Sequence, residues 1–101
     1  DGVEGFLCSI KNTNQKVEVY NLGSQDSVDV MSIASIVTKN VNPGNAKITT
    51  TGGVDGGRGW MGDIRHVHLD ITKLKRLGWS PNLSSAESVD LASKELQKNL
   101  L

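Results

Sequence analysis

The chain has 101 residues, 37% of them hydrophobic, and eleven basic residues against eleven acidic ones give a formal net charge of +0. That length makes room for one domain with one modest core. Balanced charge supplies no field to hold a phosphate backbone, and aromatics at 4% leave little for bases to stack on, so nucleic acid is excluded as the expected partner.

Cys8 is the single cysteine, so no internal disulfide can form and a reducing, cytoplasmic setting is expected. Cys8 falls beside the apolar stripe of the first helix and reads as a structural, inert thiol. No apolar run approaches the roughly 20 residues that a membrane span requires. No charged-then-apolar leader opens the chain, and Asp1-Gly2-Val3-Glu4 already reads as a helix start. The chain is therefore expected to be a piece of a longer protein.

In chain order, Val3, Phe6, Leu7 and Ile10 follow the i, i+3, i+4, i+7 spacing of a helix with one buried stripe. Val17 to Leu22 is short, rich in β-formers and bounded by Gly23-Ser24, which predicts a strand. Asp29 reads as an N-cap, with Val28 before it placed to staple on Ile33. Val30, Ile33, Ala34, Val37 and Val41 then make one apolar helical face, stopped by Asn42-Pro43-Gly44. Ala46 to Thr51 is a second expected strand, and Ile64 to Leu69 a short strand or ordered loop.

Asp70 is expected to cap a helix over 71–77, with Gly78 in the left-handed C′ position and Trp79 packing back on Leu74. Ser84-x-x-Glu87 is a capping box opening the last helix, whose apolar face is Val89, Ala92, Leu96 and Leu100. The pattern as a whole predicts a mixed α/β fold of about four helices with two or three short strands. So few strands bury little alone, which fits a lobe packed against something larger.

The glycine-dense stretch Gly52 to Asp63 is where function is expected. Gly57-Arg58-Gly59-Trp60-Met61-Gly62 matches a G-x-G-x-x-G pattern, but no strand leads directly into it and no helix follows. Without a helix N-terminus to meet the pyrophosphate, it is not a dinucleotide loop. Arg58 offers a planar fork of donors to phosphate oxygens, Asp63 accepts from sugar hydroxyls, and the Trp60 ring can cover a sugar or base face. His66 and His68 alternate on an extended segment and invite a metal reading; a third and fourth ligand are not evident, so no metal is expected. No nucleophile–base pair is legible, and no catalytic residue is assigned.

Val19-Tyr20-Asn21-Leu22-Gly23-Ser24, Ser27-Val28 before a helix, Gly62-Asp63, Asp70-x-x-Lys73 and Leu77-Gly78-Trp79-x-Pro81 together resemble the C-terminal part of extended short-chain dehydrogenase/reductases. These are the NAD-dependent nucleotide-sugar epimerases and dehydratases of the UDP-glucose 4-epimerase kind, and the resemblance covers nearly the whole chain. It implies a single fragment, residues 1–101, forming the small substrate-binding lobe. The Rossmann domain, the NAD it binds and the catalytic Tyr-x-x-x-Lys would lie upstream in the parent protein, itself expected to be a homodimer acting on a UDP-linked sugar. It further implies that Asp63 contacts the substrate. The phosphate role falls to Arg58, with Arg65 as its rival, because Trp60 holds the position of the family's usual arginine. A freestanding α/β binding module derived from that lobe is the alternative.

Overall fold

A computed structural model of the chain describes the backbone of residues 1–100 and the side chains of residues 1–99. Four helices follow one another: α1 (Gly2–Asn12), α2 (Val30–Val41), α3 (Thr72–Lys75) and α4 (Ser85–Leu100). The caps written at α2 and α4 are the ones used. The Asp29 carboxylate accepts the Ser32 N–H at 2.9 Å, which satisfies one of the orphan donors at the start of α2. At α4, Glu87 N–H donates to Ser84 Oγ at 3.2 Å while Ser84 N–H donates to Glu87 Oε2 at 2.8 Å. That reciprocal pair is a capping box. Asp70 Oδ1 takes the Thr72 N–H at 2.9 Å, but Ile71 holds the N-cap position and α3 covers only Thr72–Lys75, shorter at both ends than the 71–77 expected. Gly78 closes the segment in the left-handed region at φ 94°. The Leu100 side chain, placed by spacing on the apolar face of α4, lies outside the described residues.

Trp79 packs with Leu74 and Ile71 in the one apolar cluster buried among the described residues, and Cys8, Tyr20, Leu22 and Leu77 close its sides. α1 reaches this cluster through Gly5, where an added Cβ would lie 3.2 Å from Trp79 Cε2 and run into the end of Leu22. Only a glycine lets the helix approach so closely. The Trp79 indole N–H donates to the Asp1 carbonyl at 3.2 Å, and the Asp1 carboxylate takes the Asn82 and Leu83 N–H groups at 3.1 and 3.0 Å. The second packing unit is α2 against α4. Across it, Asn40 Nδ2 donates to Asp90 Oδ1 at 2.9 Å and to the buried Ser93 hydroxyl at 2.7 Å, which fixes the register of the two helices. The Asp26 carboxylate accepts the Ser85 N–H at 3.0 Å and ties the segment before α2 to the start of α4.

Two expectations need correction. The chain is not a mixed α/β lobe: 42% of it is helical, 2% is strand, and no sheet forms among the described residues. Val17 to Leu22 is irregular chain that starts in a bend at Val17, with Val17 and Val19 exposed and Glu18, Tyr20 and Leu22 half-buried. No backbone–backbone hydrogen bond joins it, or Ala46 to Thr51, to another segment. A strand is defined by its partner, and β-prone composition with no ladder opposite yields only irregular chain. Ile64 to Leu69 is likewise an ordered loop.

The second correction concerns the apolar stripes: that of α1 is not buried, and on α4 Ala92 and Leu96, expected on its apolar face, are exposed, Leu96 at 57%. Val3, Phe6 and Ile10 are 73%, 67% and 72% exposed. α1 turns its opposite, small-residue side to the core, through Gly5 and Cys8, whose thiol donates to the Leu77 carbonyl at 3.6 Å.

Candidate functional site

Gly52 to Asp63 folds on itself. Val54 and Arg58 exchange both backbone hydrogen bonds at 2.8 Å, which makes an antiparallel bridge closed by Asp55, Gly56 and Gly57. All three closing residues have positive φ, at 44°, 76° and 96°. The two glycines hold that conformation without steric cost, and Asp is among the side chains that tolerate it. A second turn follows. The Asp63 N–H donates to the Trp60 carbonyl at 3.1 Å, with Gly62 at φ 83° in the position a type II turn reserves for glycine.

These two turns bring Arg58, Trp60, Asp63 and Arg65 into one neighbourhood. Arg58 Nε donates to the Asp63 carbonyl at 3.1 Å, and its terminal nitrogen pairs with the Asp55 carboxylate and reaches the Asp55 carbonyl at 3.2 Å. Asp63 Oδ2 accepts the Gly59 N–H at 3.0 Å, so this side chain braces the loop and keeps its other oxygen without a hydrogen bond. Arg65 bonds the Gly56 carbonyl and lies 3.5 Å from the Asp55 carbonyl. Trp60, in the same loop, is 66% exposed.

Arg65 also lines an open cleft of about 400 Å³ between residues 25–28 and 64–68. Asp26, in its wall, is held below the usual carboxylate range by the Ser85 backbone N–H and hydroxyl, so it stays ionised there. His66 and His68 line the cleft on the side of Arg65, but among the described residues no group of three or more His, Cys, Asp or Glu comes together to hold a metal.

The arrangement offers cationic forks, acceptor oxygens and an apolar ring. That inventory suits an anionic, hydroxyl-bearing ligand. The Gly57–Gly62 run follows an isolated bridge residue and a tight turn and leads into irregular chain before α3, unlike the strand–turn–helix of a dinucleotide loop. Two participants escaped the sequence reading. Asp55 orients Arg58, and residues 25–28 form the far wall of the cleft. Asp55-Gly56 is a turn dipeptide that could have revealed the hairpin; the wall is a long-range contact with no local signature.

The chain matches no protein-family model, no curated protein and no solved structure.

Proposed function

We propose that this chain is the substrate-binding C-terminal portion of an NAD-dependent nucleotide-sugar epimerase or dehydratase related to UDP-glucose 4-epimerase, supplying contacts and no chemistry. The observation that supports this reading is the loop around Arg58 and Asp63. A guanidinium and a carboxylate held by the same two turns, with an exposed indole between them in sequence, meet the phosphate, hydroxyl and ring faces of a nucleotide sugar. NAD would bind the parent's Rossmann domain and not this chain, and transient oxidation of a sugar hydroxyl would occur there. The parent would be a cytoplasmic homodimer with no nucleic-acid or membrane partner; no helix of the described residues is long and apolar enough to cross a membrane.

A freestanding binding module derived from the same lobe is the second reading. The bare apolar stripe of α1 favours it as much as the first, since a module that docks on another protein also presents such a face. The coding sequence upstream of Asp1 separates the two. A glycine-rich βαβ start and a Tyr-x-x-x-Lys belong to the first reading, and full-length protein that neither binds nor turns over a nucleotide sugar would overturn it.

A further inference from the structure

α1 is held to the core by its small residues and leaves its large ones outside. Gly5 meets Leu22 and Trp79, and Cys8 reaches the Leu77 carbonyl, while Val3, Phe6, Leu7 and Ile10 are between 49% and 73% exposed. A continuous apolar stripe of that kind marks a contact surface. The charges beside it indicate what the contact is. With 3.6 residues per turn, Glu4 and Lys11 fall on the same flank of the stripe, one in the first turn of α1 and the other in the last. The opposite flank carries Gly2 and Ser9 and no charge. Glu4 is 64% exposed, with the Asp1 amino group 3.8 Å from it, and Lys11 is exposed with no hydrogen bond or ion pair among the described residues.

Two copies of α1 laid stripe to stripe can run parallel or antiparallel. In the parallel arrangement, the charged flank of each copy faces the uncharged flank of the other. In the antiparallel arrangement the charged flanks face each other, and a two-fold axis near Leu7 sets Glu4 of each copy opposite Lys11 of the other. We propose that α1 is a self-association surface that pairs with α1 of a second copy of this chain, antiparallel and two-fold. Val3, Phe6, Leu7 and Ile10 make the contact, and two Glu4–Lys11 ion pairs border it. The area allows this. An accessible surface of 7885 Å² exceeds that of a compact monomer of this mass by roughly 2,000 Å², and a standard interface takes about 800 Å² from each partner. A net charge of +0 adds no long-range repulsion between copies. The apolar stripe supplies the affinity, while the ion pairs at its rim set the direction. The pairing does not rest on the function proposed above.

Sedimentation equilibrium of the 101-residue chain, from about 10 μM to about 1 mM, tests this, with a monomer–dimer equilibrium as the expected result. Phe6→Glu puts a charge inside the apolar contact and should weaken association by about thirtyfold or more. Glu4→Lys leaves only lysines on the flank and Lys11→Glu only glutamates, so each variant should self-associate about three- to tenfold more weakly. An equimolar mixture of these two variants sets opposite charges at both rim positions and should recover the association of the unchanged chain. The Trp79 indole N–H, bonded to the Asp1 carbonyl, gives an NMR signal whose retention certifies that α1 stays docked in each variant. Should Phe6→Glu lose that signal, the charge mixture decides. A chain that stays monomeric at the highest concentration gives the stripe to another segment or another protein and overturns the proposal. Association that survives Phe6→Glu, or assembly beyond the dimer, overturns it equally. A mixture that does not recover overturns the antiparallel geometry. If the chain dimerises as described but full-length protein ignores nucleotide sugars, the pairing stands and the proposed function falls.

Discussion

Leu74 is fully buried, at 0% exposure, and the rest of the small core is arranged around it. Leu74→Ala should destabilise the fold by about 2–5 kcal/mol, measured as a shift in the urea midpoint; with so little other core, a cost below about 1 kcal/mol would mean the cluster is not what holds α1 to α3. Gly5→Ala places a methyl against Leu22 and Trp79 and should cost about 1–3 kcal/mol although alanine is the better helix former. In the proposed parent enzyme, Arg58→Ala removes a charge-assisted contact and should weaken substrate binding by about 1.5–3 kcal/mol. An unchanged KM would remove Arg58 from the site. Single residues were legible where their role is local. Arg58, Trp60 and Asp63 stand out as candidates because a glycine-rich loop has no packing use for them, and Asp55-Gly56 is locally readable as a turn, whereas the residue 25–28 wall arises only through contacts made in three dimensions.

At the scale of elements, the helix starts were readable because a cap is a short-range device. Asp29, Asp70 and Glu87 each accept an N–H within three residues, and Ser84-x-x-Glu87 names both halves of its own hydrogen-bond pair. Ser84→Ala should cost about 1 kcal/mol of stability, read from chemical denaturation. Hydrogen bonds from Ser32, Thr72 and Ser84 hold these three carboxyls below their usual range. The folded state thus prefers them ionised more strongly than the unfolded chain does. Their contribution is fully present above the unfolded values and is lost as pH falls through the lower, folded ones. The urea midpoint should be flat from pH 7 to about 5 and fall below about pH 4.5; a midpoint that rises on acidification would contradict the caps. The strands were not readable for the converse reason. Val17 to Leu22 has the right alternation and even the right inward face, but its ladder partner is not among the segments that pack beside it.

The whole molecule is open. Its accessible surface is 7885 Å², against about 5,500 Å² for a compact monomer of this mass, and its radius of gyration is 17.2 Å, against about 13 Å. Val3, Phe6 and Ile10 on α1 and Val17 and Val19 on the segment after it account for part of that excess, and all are apolar. The isolated chain should therefore bind UDP-sugars weakly or not at all, since the surfaces that would complete a pocket are bare; micromolar binding by calorimetry would contradict this. The Gly52–Asp63 loop, in contrast, is internally braced and carries its donors without help from the rest of the fold. Its proposed task is to hold substrate, not cofactor. The most direct test compares the two ligands in full-length protein carrying Arg58→Ala. Weakened UDP-sugar binding with NAD affinity unchanged is the result predicted here, and lost NAD affinity with UDP-sugar binding intact would contradict it.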